Sequence, residues 1–138
     1  MLILGGYTDE LGIEGIQLYD LFDQLPDETR APFQSQGVAG TVLNYYIEMY
    51  SCEGTEVYVM RCSDGQKDTE GMNGRVAAIR LSGGTAYRTP RGLTVGDSAY
   101  RAWLLYGKCA FTSSFDYQVE DGYVSTIVFH TRYWGCRF

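Results

Sequence analysis

Lysine is nearly missing from this sequence: Lys67 and Lys108 are the only two, in a chain of formal net charge −6. A protein that tracks a phosphate backbone needs a basic face. Here Arg75, Arg80, Arg88, Arg91 and Arg101 are scattered over turns, a strand and a helix, which disfavours nucleic acid and anionic membrane surfaces. Histidine occurs once, at His130, and no C-x-x-C is present, so neither a His-rich nor a paired-cysteine metal site can be assembled. Asp64-Gly65-Gln66-Lys67-Asp68 starts like a calcium loop yet lacks the ligand series and the closing glutamate. No G-x-S-x-G occurs, and Gly5-Gly6 and Gly83-Gly84 make turns rather than a phosphate-binding fingerprint. No apolar run reaches the length of a transmembrane helix. These absences leave no metal or cofactor to expect.

What is present suits a small globular protein. With 138 residues, 45% of them hydrophobic, the chain is long enough for a single compact domain (1–138) that folds without a metal. Met1-Leu2-Ile3-Leu4 is too short for the core of a signal peptide. Few lysines, twelve tyrosines and an even count of four cysteines favour an oxidising, extracytoplasmic setting in which a signal is absent from this sequence, with a cytoplasmic location left open.

The best-defined stretch runs from Thr89 to Gly107. Thr89-Pro90-Arg91-Gly92 is a turn, and Gly96-Asp97-Ser98 supplies a second one with an N-cap. Val95, Ala99, Ala102, Trp103 and Tyr106 then follow at helical spacing, which predicts a helix over 97–106 with Trp103 buried, stopped by Gly107. Gly92-Leu93-x-Val95-Gly96-Asp97-Ser98, a helix ending at Tyr106-Gly107, and a strand pair around Asp121-Gly122-x-Val124-x-x-Ile127 resemble a recurring module. It is similar to the small lipoprotein domains of bacterial envelopes (the BamE/SmpA type) and to the tandem modules of β-lactamase-inhibitor-like proteins. The resemblance covers about 40 residues, and it implies a helix packed on a small antiparallel sheet with a binding or inhibitory role.

Around that stretch, Leu18, Leu21, Phe22 and Leu25 predict an amphipathic helix from Glu14 to Leu25, ended by Pro26. Thr41 to Ser51 alternates as one strand, with Leu43, Tyr45, Ile47 and Met49 on one face. Glu53-Gly54 is a hairpin turn, Glu56 to Cys62 the return strand, and Ser63 to Met72 a polar loop. Asp121-Gly122 is a type I′ hairpin signal between strands at Ala110–Val119 and Tyr123–Thr131. Residues 73–81 align without gaps on 121–129, which suggests an internal repeat of 1–84 and 85–138. The expected fold class is therefore α+β: helices packed on one face of an antiparallel sheet, in two related helix–hairpin halves.

Three functional readings follow. The leading one is a non-catalytic binding module with a protein partner, secreted or envelope-associated. If Leu43, Ile47 and Met49 face the helices, then Tyr46, Glu48 and Tyr50 face outward, and Tyr58 joins them if Val57 and Val59 point inward. Tyrosines grouped on one sheet face suit an interface. The second reading rests on Gln36-Gly37-Val38-Ala39-Gly40, which is similar to the Q-x-V-x-G hairpin of cystatins and implies inhibition of a papain-type protease. In that family a glycine near the N-terminus, here Gly5 or Gly6, joins the wedge, whereas its Pro-Trp hairpin has no counterpart here. The third is a small hydrolase using His130, with carboxylates such as Asp9/Glu10, Asp20/Asp23, Asp27/Glu28 or Glu120/Asp121 for acid–base work. Of three possible full cysteine pairings, hairpin register with one bulge in the return strand brings Cys109 and Cys136 within reach.

Overall fold

In the computed structural model, which describes residues 11–107 and 114–134, the chain is mostly β, with eight strands among those residues. β1 (Gly12–Ile13) and β2 (Ile16–Gln17) form a small hairpin, followed by a 3-10 turn (Phe22–Gln24) and a single-turn helix, α1 (Asp27–Arg30). Then come β3 (Gln34–Val42), β4 (Tyr45–Cys52), β5 (Thr55–Cys62) and β6 (Val76–Leu81). Helix α2 (Ala99–Tyr106) precedes β7 (Phe115–Glu120) and β8 (Tyr123–His130). The six longer strands make one antiparallel sheet in the order β3-β4-β5-β6-β8-β7.

This overturns the α+β expectation of helices covering one face of the sheet in two helix–hairpin halves. The stretch 14–25 carries its leucines at helical spacing, but its backbone hydrogen bonds go elsewhere. Tyr19 N donates to Val76 O, Val76 N to Asp20 O and Phe22 N to Gly74 O, each at 2.9 Å. The segment is thus tied across the start of β6 instead of to itself. A Cβ at Gly12 would lie 2.3 Å from the Ile16 carbonyl oxygen, so only glycine lets β1 approach β2 this closely. Leucine spacing cannot distinguish a helix from a hairpin followed by a 3-10 turn when both bury the same residues.

The strand expected over Thr41–Ser51 is two strands. Val42 pairs with Tyr45 across Leu43-Asn44, and Leu43 has φ of 55°, an uncommon conformation for a leucine. The hairpin tip therefore falls inside an alternating run that has no glycine to mark it. At Glu53-Gly54 and Asp121-Gly122 the expected hairpins form, the latter with φ of 54° and 85° as a type I′ turn requires. The β7–β8 ladder has one register shift, with Ser125 as the extra residue of the return strand. Cys109 and Cys136, whose proximity was argued from that register, lie outside the described residues. Of the aligned repeat positions, Ile79 and Ile127 are both fully buried, and Gly74 and Gly122 have φ of 81° and 85°. Gly122 closes a hairpin, whereas Gly74 leads from the 63–75 loop into β6.

Side chains are buried on both faces of the sheet. On one, Val57, Val59, Ile79, Leu81, Ile127 and Phe129 lie beneath Ile13, Ile16, Phe22, Leu93, Ala102 and Tyr106. On the other, Tyr45, Ile47, Met60 and Ala78 pack with Met72 and Trp134. β5 accordingly buries four consecutive residues, Val57 to Met60, which is how a strand with covered faces reads.

Helix α2 is capped by the Ser98 side chain, which accepts from Arg101 N at 3.1 Å. Its buried residues are Ala102 and Tyr106, and Trp103 is 60% exposed, against the expectation that it is core. The stripe anticipated from Val95 was anchored on a residue that precedes the helix, which starts at Ala99. At about 100° per residue, Trp103 sits about 100° round the helix from Ala102, beyond the narrow side that Ala102 and Tyr106 bury. Tyr106 stacks on Phe115 at 4.6 Å and donates to Thr89 Oγ1 at 2.6 Å in the interior. Tyr106→Phe should then lower unfolding stability by about 1–3 kcal/mol, because a buried hydroxyl loses its donor. Trp103→Ala should change it by no more than about 0.5 kcal/mol. Urea titrations of the two variants check both, and a large loss at Trp103 would contradict the exposed placement.

Candidate functional site

Cross-strand register decides the fate of the proposed tyrosine face. Tyr46 pairs with Arg61, Glu48 with Val59 and Tyr50 with Val57, so these share the face of β1, β2 and α2. Tyr58 pairs with Met49 and is buried on the opposite face, stacked on Trp134 at 4.7 Å. The four residues Tyr46, Glu48, Tyr50 and Tyr58 are therefore not brought together.

Three of them border a charged cluster that the sequence did not announce. The Arg61 guanidinium donates to both Asp23 carboxylate oxygens at 2.7 and 3.1 Å, to Glu48 Oε1 at 3.0 Å and to the Tyr50 hydroxyl at 2.6 Å. Tyr50 in turn donates to Glu48 at 2.8 Å, and Ser35 Oγ to the other Glu48 oxygen at 2.7 Å. The Tyr50 ring stacks on Phe22 at 4.3 Å. Arg61 is the single charge in a strand that otherwise reads as core after Glu56, the one signal in the sequence. Its partners come from 13 and 38 residues away, a register no local pattern encodes.

The electrostatics of this cluster are those of a clamp. The hydrogen bond from Arg61 holds the Asp23 carboxyl below its ordinary value. Burial pushes Glu48 up, but bonds from Ser35, Tyr50 and Arg61 outweigh it and the net direction is down. Burial and then the bond to Glu48 push the Tyr50 phenol up. Asp68, within the 63–75 loop, is also held low, first by the Tyr45 hydroxyl and then by backbone N–H groups that include Met72 and Asn73. A general acid needs a carboxyl pushed the other way.

The remaining candidates are dispersed. His130 lies on β8 opposite Ala78, with Nδ1 3.3 Å from the Thr131 carbonyl. Asp20 accepts from Gln17 N, Asp27 pairs with Arg30 at 2.7 Å, Glu28 is exposed, and Glu120 and Asp121 sit at an exposed hairpin end. Asp9 and Glu10 lie outside the described residues, as do Gly5 and Gly6. Gln36, Gly37, Val38, Ala39 and Gly40 belong to β3, an edge strand, and the hairpin tip that follows is Leu43-Asn44. Cys52 and Cys62 are free. Among the described residues, no group of three or more His, Cys, Asp and Glu is placed to hold a metal, and no helix is long and apolar enough to cross a membrane.

The β3 edge of the sheet is interrupted. β3 shifts register twice, between Ser35 and Val38 and between Val38 and Gly40, whereas the one shift between β7 and β8 comes from Ser125 of the inner strand β8. Such bulges blunt an edge against strand addition. The outward side of α2 carries no such protection. Tyr100, Trp103 and Leu104 are exposed by 71%, 60% and 58%, and their i, i+3, i+4 spacing places them side by side. At about 200 Å² for a whole aromatic side chain, the two rings alone leave on the order of 250 Å² in water. With Leu104 these rings form one contiguous apolar patch, comparable to the largest patch that an ordinary monomer exposes.

Compared with known proteins, the chain matches no family model, no curated protein and no solved structure.

The clamp has a measurable signature. Asp23 and Glu48 ionise more readily folded than unfolded, so the stability they contribute is present above the unfolded carboxylate range near pH 4 and is lost as pH falls through their lower folded values. Arg61→Met should cost about 3 kcal/mol at pH 7, the low end for a broken ion pair because Asp23, 60% exposed, can return to water. The gap between wild type and variant should narrow from pH 6 to pH 2. A gap that stays constant in acid would show that the loss comes from packing alone.

Proposed function

We propose that this chain is a non-catalytic binding domain of a secreted or envelope-associated bacterial protein, and that it docks a partner protein through the outer side of α2. The observation that carries the reading is the patch of Tyr100, Trp103 and Leu104 on a helix whose opposite side is already seated by Ala102 and Tyr106. Aromatic residues offer large apolar area at low entropic cost, the composition that interface centres favour. The state of the carboxylates supports a binding role over catalysis, since Asp23, Glu48 and Asp68 are tied into pairs that keep them ionised. The resemblance of the 92–127 motifs to envelope modules with binding and inhibitory roles supports it from the sequence side.

Two experiments bear on this. A photocrosslinking residue at position 104 should give a discrete adduct in the native cells, competed by the wild-type chain but not by the Trp103→Ser variant. The same residue at position 38, on exposed β3, should give none. Adducts from position 38 alone would move the docking surface to the Gln36–Gly40 strand and overturn the α2 reading. For the extracytoplasmic setting, intact mass should rise by about 2 Da on reduction, as one Cys109–Cys136 bond requires. An unchanged mass would count against that setting.

A further inference from the structure

The chain has two asparagines, Asn44 and Asn73, and only Asn73 is followed by glycine. Asn-Gly pairs are prone to attack of the backbone on the side-chain amide, because glycine has no Cβ to hinder ring closure. Here both reacting groups are engaged. Gly74 N donates to Met60 O at 2.7 Å, and Asn73 Oδ1 accepts from Cys62 N at 2.9 Å. The peptide that follows is held as well, with Phe22 N donating to Gly74 O at 2.9 Å and Met60 N to Arg75 O at 3.0 Å. The nitrogen that must attack thus has its proton fixed on β5, and the carboxamide it must reach is bound to the same strand.

These bonds last while the 63–75 loop is closed. From Ser63 to Asn73 every residue except Met72 is exposed, so little apolar burial holds the loop down. Its closure rests on the Asp68 carboxylate, which accepts from the Tyr45 hydroxyl, Met72 N and Asn73 N. We infer that Asn73 is a site of spontaneous backbone modification gated by the opening of this loop. In the open loop Gly74 N bonds to Asn73 Cγ, the Cγ–Nδ2 bond breaks, and the amide nitrogen leaves as ammonia with the Gly74 proton. The succinimide so formed takes up one water. Cleavage of its Cγ–N bond gives aspartate, and cleavage of the other C–N bond gives isoaspartate, in which the chain runs through Cβ. The isoaspartyl chain, longer by a methylene, no longer sets Gly74 against Met60 and Phe22 together. Either product also adds a carboxylate beside Asp68, whose oxygen lies 3.2 Å from the residue-73 nitrogen. Closure prevents the reaction, and the reaction prevents closure. The modified chain leaves Tyr45 and Met60, now fully buried, without their cover.

The test incubates the whole chain at mildly alkaline pH beside a synthetic peptide of residues 68–78, and peptide mapping by mass spectrometry follows the loss of ammonia at Asn73. Conversion in the folded chain should be at least tenfold slower than in the peptide, since only the open fraction reacts. Tyr45→Phe removes one bond to Asp68 and should accelerate it about fivefold, and Asp68→Ala at least tenfold. Should either variant unfold, the wild type alone still decides. Hydrogen exchange at the Gly74 amide and conversion at Asn73 should then rise by the same factor through low urea, because both need the same opening. The purified isoaspartyl form should bind a hydrophobic dye that the fresh chain does not. Equal rates in folded chain and peptide would overturn the gating, as would folded variants that convert no faster or exchange at Gly74 that outruns conversion as urea rises. An isoaspartyl form that leaves the dye unbound would overturn the loss of closure.

Discussion

Burial of β5 and β6 on both faces is the constraint from which the rest of this structure follows. Val57 to Met60 and Val76 to Ile79 are buried without a break, so apolar material must lie on each side of the sheet. The two helices among the described residues, of four and eight residues, cannot supply it alone. The covers are instead irregular segments: 11–25 and 82–98 on one face, 63–75 and 131–134 on the other. Irregular backbone laid over a core cannot satisfy its own polar groups as a helix does, so each cover needs an external anchor. Arg61 holds the 3-10 turn through Asp23, the Tyr45 hydroxyl and Asp68 hold the 63–75 loop, and Thr89 with Tyr106 holds the turn before α2. Among the described residues the half-hidden polar side chains are mostly such anchors, and the dense cluster around Arg61 is one of them.

The same constraint decides what could be read from the sequence. Hairpins marked by Glu53-Gly54 and Asp121-Gly122 were legible, because a glycine after an acidic residue favours positive φ wherever it falls. The Ser98 cap and the Gly107 stop located α2 to within two residues. The Leu43-Asn44 turn was not legible, since no rule makes leucine adopt φ of 55° and the alternation runs straight through it. Leu18, Leu21, Phe22 and Leu25 misled for a different reason. They are spaced for a helix, yet their backbone completes its hydrogen bonds on β6, a choice made by tertiary contact. Register defeated the tyrosine face in turn. Alternation groups Tyr46, Glu48 and Tyr50 on one face, but only the β4–β5 pairing reveals that this is the α2 side of the sheet, not the side away from it, and that Tyr58 points the other way. The α2 surface was hidden by a plausible error, because an aromatic residue in an amphipathic helix is usually core.

The β6–β8 ladder is the one seam of the main sheet that joins strands far apart in sequence. β3 to β6 form a meander of neighbouring pairs, and β7 with β8 is a tight hairpin, so both blocks can be assembled from local contacts. Bringing Leu81 against Ile127 closes a loop of more than forty residues, and the entropy of that closure is spent before any of the seam's contacts repay it. Kinetically the molecule is thus two fast-forming parts and one slow encounter. The thermodynamic side is milder. Because closure entropy grows only with the logarithm of loop length, the connection between β6 and β8 is where the chain can lengthen at little expense in stability, and that connection is the one that carries α2.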